Sequence, residues 1–392
     1  MHTTKVLLTY WITMAIYLYR AGPLYQAHLQ PINIWMHYCD TVKKEAILWK
    51  PLEGGKVECI ACARRCRIPE GSHGFCFVRQ NIGGKLYLAN YGVIDAMQVD
   101  PIEKKPFNHF YPGSTVLGIG TSSCNFGCQF CQNHNISKDN EITGASVSPK
   151  ELIETAKRYG AQGIAFTYNE PTIFIEFALD VAKLAHKNGM FTVFVTNGYM
   201  TTEAVDAMKG LIDAAVVDFK GNGEDKFANR FEMVMSNEPI KRALERMKRN
   251  GMHIEITDLI IPRVGESLEA CDALTKWVAG NLGPDVPIHF TRFHPDYKML
   301  DYPETSASTL KAHYDMAKKN GMHYVYIGNI PGNKYESTYC PNCGALAAER
   351  EGFYLKRWLL LDGNRCPKCG STIPITGKAT LPGSEPEIIS LY

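Results

Sequence analysis

The sequence predicts an α/β fold, a partial TIM-type (β/α)6 barrel, on three observations. Short β-branched runs alternate with helical patterns from about residue 113 to 330, and Gly or Asn-Gly punctuates the joints. Several helical segments end at a Gly that follows Lys, Arg or Asn, which suits a left-handed C-cap and the negative end of the helix dipole. Six βα units and a closing strand with right-handed crossovers then build a parallel sheet. A doubly wound open sheet is the alternative.

The elements follow in order. The first strand is 115–121 (TVLGIGT). A helix is predicted over 148–160, where Ser148 caps the start, Pro149 takes the first helical position and Glu151 completes a capping box. Strand 163–170 (GIAFTYNE) leads to helix 172–189, which stops at Asn188-Gly189, and strand 191–197 (FTVFVTN) to helix 201–212. Strand 214–220 (AAVVDFK) precedes helix 237–251, and strand 253–262 (HIEITDLIIP) precedes helix 267–283. Strand 287–293 (PIHFTRF), helix 306–321 and strand 324–329 (YVYIGN) close the series.

Parallel barrels place reacting groups at the carboxyl ends of their strands. Reading those ends gives Cys124, Cys128 and Cys131 after the first strand, Asn169 and Glu170 after the second, and Thr196 and Asn197 after the third. Asp218 and Lys220 end the fourth, Asp258 sits in the fifth, and Arg292 and His294 close the sixth. Any one of these alone is an ordinary loop residue. Their shared rim makes them candidates together.

Composition bounds the rest. With 392 residues, 45% of them hydrophobic, and a formal charge of +2, the chain has material for one large core and shows neither a disordered composition nor a basic footprint for nucleic acid. The apolar run Val6 to Tyr19 spans 14 residues, too short to cross a bilayer comfortably, and lacks a convincing basic n-region or cleavage site. Residues 1–35 read as an extension or a misplaced start, with Met36 the expected true beginning. Most of the thirteen cysteines cluster in CxxC-type groups, which indicates metal ligation in a reducing, cytoplasmic setting.

Three cysteines fall within Cys124-Asn-Phe-Gly-Cys128-Gln-Phe-Cys131, and no fourth follows nearby. A 4Fe–4S cluster takes four thiolates, so three leave one iron open to a chelating small molecule. Gly127 lets the loop fold its sulfurs about one face of such a cube, with Phe130 shielding it. Zinc would draw on two separated CxxC knuckles instead. A fourth ligand from His134 or Cys271 would make the cluster a pure electron carrier, although Cys271 lies in a helical pattern and reads as a buried apolar residue.

CxxxCxxC with an aromatic before its last Cys resembles the radical S-adenosylmethionine (SAM) superfamily. Together with VDPIEKKPFNHFYPGS, FTYNEPTIF, VFVTNGYM, HFTRFHPDYKM and YVYIGN, it resembles the AmmeMemoRadiSam proteins, relatives of the pyruvate formate-lyase activating enzyme, over about Lys44 to Ser371. The resemblance implies a radical SAM barrel whose open iron binds SAM and whose reduced cluster splits it to methionine and a 5'-deoxyadenosyl radical that abstracts hydrogen. It implies that Asn169 and Glu170 stand where the superfamily has Gly-Gly-Glu holding the SAM amino group; Tyr-Asn-Glu-Pro here keeps the carboxylate and alters the backbone half. It further implies that Thr196 and Asn197 face the SAM ribose or carboxylate, and Asp218 and Lys220 the methionine end or the substrate. A protein substrate and an electron donor such as ferredoxin or flavodoxin complete the implied partners; no membrane or nucleic-acid partner is expected. His289, Arg292 and His294, with Asp296 nearby, are candidates for substrate contact, and His289 is equally a barrel-lining core residue.

Two further cysteine groups flank the barrel. Cys340, Cys343, Cys366 and Cys369 form two CPxCG knuckles, the pattern of a zinc ribbon, with zinc expected in a structural role. Cys59, Cys62, Cys66 and Cys76 follow C-x2-C-x3-C-x9-C order, read first as a structural zinc, with a second iron–sulfur cluster and free thiols as the alternatives. Arg64, Arg65 and Arg67 would offset thiolate charge there, and Cys39 has no assignment. The expected organisation is 1–35 as extension, 36–112 as the cysteine-rich segment, 113–330 as the barrel and 331–392 as the ribbon segment. The rival reading is a metal-stabilised protein- or RNA-binding protein without radical chemistry.

Overall fold

The computed structural model describes residues 43–138, 140–330, 332–381 and 388–391. The apolar run Val6 to Tyr19, Met36 and Cys39 lie outside the described residues. The centre is a nine-stranded sheet. Its strands are β1 (Ala96–Pro101), β2 (Thr115–Gly120), β3 (Gly163–Phe166), β4 (Phe191–Thr196), β5 (Ala214–Lys220), β6 (His253–Ile260), β7 (Ile288–Arg292) and β8 (Val325–Gly328), with Ile389–Ser390 at the far edge. From β2 to β8 each strand pairs in parallel with the next. Strand order never reverses, which removes the doubly wound alternative, since that fold reverses direction at a switch point. The barrel is partial because the free edge of β2 carries β1 antiparallel, and β1 in turn carries Ile389–Ser390.

The connecting helices are α1 (Pro149–Arg158), α2 (Ile175–Lys187), α3 (Thr202–Met208), α4 (Asp225–Glu232), α5 (Glu238–Arg249), α6 (Leu268–Asn281) and α7 (Ala307–Lys319). Ser148 caps α1 as predicted: its hydroxyl takes the Glu151 amide and the Glu151 carboxylate takes the Ser148 amide at 2.7 Å. Thr201, Ser267 and Ser306 cap α3, α6 and α7, each hydroxyl taking the amide three residues on, without the reciprocal carboxylate. Among the described residues no helix is long and apolar enough to cross a membrane.

Alternation along the strands sorts the barrel interior into layers. Toward the amino ends, Val116, Ala165, Val193, Ala214 and Val216 pack around Phe107 and Phe110 and plug the barrel. Above that plug Asp218, Thr257, His289 and Tyr326 lie in register across β5 to β8, one polar row over four strands. All four line a cavity of about 500 Å³ at the carboxyl ends.

The ribbon segment folds as a three-stranded sheet that includes β9 (Leu346–Glu351) and β10 (Tyr354–Trp358). Its knuckles are matched turns: the Gly344 amide bonds the Cys340 carbonyl and the Gly370 amide the Cys366 carbonyl, each at 2.9 Å. Cys340 approaches Cys369 to 3.6 Å between sulfurs, and Cys343 approaches Cys366 to 3.6 Å. A tetrahedral ion with metal–sulfur bonds of about 2.3 Å places its ligands roughly 3.8 Å apart, so the quartet could hold a metal as a zinc ribbon does.

Candidate metal and cofactor site

The loop after β2 is shaped by its contacts with α4. The Gly127 amide donates to the Glu232 carbonyl at 2.8 Å and the Gln129 amide to the Phe231 carbonyl at 2.9 Å. Gly127 gives Met233 its place against the loop, because a Cβ there would meet Met233 Sδ at 2.4 Å unless that side chain moved. From the other side the Asn169 amide nitrogen donates to the Ser123 carbonyl at 2.8 Å and to Thr121 Oγ1 at 3.0 Å, holding the residue before Cys124. The loop thus spans β3 and α4, and Cys124, Cys128 and Cys131 line the cavity together with Phe130. Phe130 is buried against Phe227, with ring centroids 5.8 Å apart.

The sulfur geometry distinguishes this triad from the ribbon. Among the described residues only the ribbon quartet brings its ligand atoms within 4.8 Å of one another. The triad is wider than a lone tetrahedral ion allows and all-sulfur, a donor set that suits an iron–sulfur cluster. Burial pushes the Cys128 thiol well up, reinforced by the neighbouring Glu232 charge, and pushes Cys124 up against the pull of Lys138. A cationic cluster reverses that penalty. Lys138 stays protonated beside the three sulfurs despite its burial and donates to the Phe126 carbonyl at 2.8 Å.

Glu170 is buried at the end of β3 with every acceptor engaged. Its carboxylate takes the Thr172 amide at 3.0 Å, the Thr196 hydroxyl at 2.7 Å, the Asn197 amide at 2.8 Å and the Thr172 hydroxyl. It therefore positions the Thr196–Asn197 turn. Asn197 in turn donates to Asn125 Oδ1 at 2.8 Å, which ties the end of β4 back to the cysteine loop. Lys220 pairs with Asp218 at 2.9 Å, and although burial opposes its charge, Asp218, Cys128 and Glu232 hold it protonated.

Most of the predicted rim converges. Asn169, Glu170, Thr196, Asn197, Asp218, Lys220 and His289 line the one cavity with the triad. Arg292 and His294 do not: they edge a separate shallow depression, and Arg292 is paired with Glu304. The register explains this, since Thr291 faces the cavity and its neighbour on β7 must face out. His289 is both a lining and a core residue, donating from Nε2 to the buried Glu255 carboxylate at 2.7 Å and stacking on Tyr326. Cys271 is buried in α6 with its sulfur toward the His313 carbonyl, in agreement with its reading as a core residue.

Sequence reasoning did not find Glu232, which lies 3.9 Å from Cys128 Sγ and whose carboxyl burial raises to about 7. It also missed Lys138, Glu103 and Arg350, which line the cavity, and Asn125, which takes the Asn197 side chain beside Cys124. Arg350 comes from β9 of the ribbon segment and bonds the Asn108 carbonyl at 2.7 Å and Thr338 at 2.8 Å.

Residues 119–278 match the radical SAM superfamily, so the match begins just ahead of the cysteine loop and runs into α6. An uncharacterized protein of Methanocaldococcus jannaschii is 42% identical over 335 residues, 85% of this chain and 99% of the relative. Residues 119–278 form a radical SAM superfamily domain. Among solved structures it is similar to a radical SAM methyltransferase from Sphaerobacter thermophilus, with a TM-score of 0.46 and 15% identity over 60% of this chain and 71% of that one. It is also similar to a domain of the pyruvate-formate lyase-activating enzyme from Bacteroides vulgatus, with a TM-score of 0.38 and 19% identity over 43% of this chain and all of that domain. Members of this superfamily are enzymes, and the family implies a 4Fe–4S cluster and SAM.

Proposed function

We propose that this radical SAM protein is an activating-enzyme-like catalyst of the AmmeMemoRadiSam type that abstracts a hydrogen atom from a protein substrate. The observation that carries the reading is the three-cysteine loop opening, without a fourth sulfur in the lining, onto a cavity of about 500 Å³ that also holds Glu170, Asp218, Lys220 and His289. When bound and reduced, the cluster supplies homolytic cleavage of SAM to methionine and a 5'-deoxyadenosyl radical. Cys124, Cys128 and Cys131 would hold it, Phe130 would keep water from it, and Asn169 would hold the loop in place. Glu170 would present the Thr196–Asn197 turn to SAM, and Asp218 with Lys220 would offer a fixed charge pair at the methionine end. His289, Thr257 and Tyr326 would form the floor on the substrate side. A ferredoxin or flavodoxin is proposed as electron donor, and zinc as the metal of the ribbon.

The test is turnover. Protein reconstituted anaerobically, reduced and given SAM should form 5'-deoxyadenosine, and the Cys128→Ala variant should form none. Cluster-loaded protein that leaves SAM intact would refute the proposal. Deuterium transfer from candidate partner proteins into 5'-deoxyadenosine identifies the hydrogen donor.

A further inference from the structure

The cysteine-rich segment ahead of the barrel contains a second all-sulfur site. Cys59, Cys62 and Cys76 are buried and Cys66 is half-buried, none is in a disulfide, and all four line one small cavity. Cys59 ends a strand (Val57–Cys59), and its amide bonds the Cys66 carbonyl at 2.9 Å; Cys76 closes the following loop, where the Val78 amide bonds its carbonyl at 2.6 Å. The four cysteines thus converge from a short paired strand and the two turns beside it.

Two features separate this quartet from the ribbon. Its sulfurs do not come within the 4.8 Å that the ribbon quartet meets, so the space between them exceeds that of a single tetrahedral ion. It also contains unspent donors. Arg79 is fully buried, donates through Nε to the Ile173 carbonyl at 3.1 Å and pairs through Nη2 with buried Glu176 at 2.6 Å, while its Nη1 has no partner. Asn125 is fully buried and lines the same cavity, and its Nδ2 has no partner. Unpartnered buried donors are costly, and two of them beside four converging thiols point to an acceptor-rich metal–sulfur group among them.

We propose that Cys59, Cys62, Cys66 and Cys76 ligate an iron–sulfur cluster of the four-thiolate class, with Arg79 Nη1 and Asn125 Nδ2 donating hydrogen bonds to its sulfur atoms. Four thiolates close such a cluster completely, so this site has no open iron and binds no SAM. It shares a wall with the triad. Asn125 follows Cys124 directly, Arg64 donates from the quartet's cavity to the Asn125 carbonyl at 2.6 Å, and Thr172, bonded to Glu170, lines the same space.

The test uses the full chain with Cys124, Cys128 and Cys131 all changed to Ala, purified and reconstituted without oxygen. Iron, acid-labile sulfide and zinc are measured per chain, and the reduced protein is examined by electron paramagnetic resonance. The proposal expects roughly two to four irons with matching sulfide to remain and to give a reduced-cluster signal. Background iron, whether with a second zinc or with four free thiols, overturns it. Should the triple variant misfold, the wild-type iron count decides: more iron than one four-iron cluster supports the site, and no more than that refutes it. If the catalytic triad binds nothing, wild type and triple variant hold the same iron, so the two proposals fail separately. Arg79→Lys keeps the charge opposite Glu176 but shortens the donor. In the triad-free background it should lower the cluster's midpoint potential, and an unchanged potential would remove Arg79 from the site.

Discussion

The Glu170 carboxylate takes the main-chain amide of Asn197 at 2.8 Å, bonding the end of β3 to the end of β4 inside the cavity wall. One carboxylate oxygen takes Thr172 and Thr196 and the other takes the Asn197 amide, so an amide at this position keeps an acceptor for the threonines and turns an NH2 group against the Asn197 N–H. Glu170→Gln should cost about 1–3 kcal/mol of stability. It should also weaken SAM binding through a displaced Asn197 turn. Thermal melts of the cluster-free protein and SAM titration of the loaded protein check both; a variant with unchanged melting and unchanged SAM affinity would contradict this role.

Gly127→Ala should lower the triad's iron occupancy while leaving the fold. The added Cβ lands 2.4 Å from Met233 Sδ and 2.8 Å from its Cγ, so the Met233 side chain and the cysteine loop have to move apart. Met233 is exposed and sits in a left-handed conformation, φ 60°, which glycine prefers. The double variant Gly127→Ala/Met233→Gly should therefore regain the triad's iron, measured as sulfide-matched iron per chain. Failure of the second change to restore it would mean that the clash with Met233 is not what the first change introduces.

Much of the barrel was legible because parallel strands and capped helices leave periodic, local signals, and Ser148-Pro149 with Glu151 is the clearest case. Ile389–Ser390 was not legible, since two residues carry no periodicity and the pairing to β1 is set by distant sequence. The rim residues were found by position at strand ends, but what each touches was not. Asn169 proved to hold the cysteine loop, and Glu232 stayed hidden because α4 (Asp225–Glu232) is short and its approach to Cys128 spans 104 residues of chain. Arg292 shows the limit of reading a strand end without its alternation: His289 and Thr291 share the inner face, so Arg292 takes the outer one.

Acid should loosen the barrel floor through His109. Its ring is fully buried between the Pro374 carbonyl and the Tyr326 hydroxyl, facing Glu255, His253 and Arg350, and burial lowers its pKa from 6.5 to about 4. The unfolded chain takes up this proton near pH 6.5 and the folded one not until about 4. The neutral ring's contribution is therefore complete above pH 6.5 and falls as the pH drops through that window, by up to about 3 kcal/mol. Denaturant midpoints of wild type and His109→Gln between pH 7 and 4 check this: the variant should show the shallower decline, and parallel curves would contradict it.

Removal of the ribbon metal should reach the cavity. Arg350 extends from β9 to the Asn108 carbonyl and to Thr338, so loosening the quartet Cys340, Cys343, Cys366 and Cys369 frees part of the cavity wall. A strong zinc chelator should release about one metal per chain, expose four more thiols to a thiol reagent and lower the melting temperature. Thiol counts that stay constant while metal leaves would contradict the assignment.

In the proposed function the three cysteines leave the fourth iron of the cluster to SAM. Mössbauer spectra of protein loaded with iron-57, taken before and after SAM is added, test it most directly. One iron site per chain should change on addition of SAM while the remaining iron keeps its spectrum, and the change should vanish in Cys128→Ala. Spectra identical with and without SAM, from protein whose triad is filled, would contradict the account.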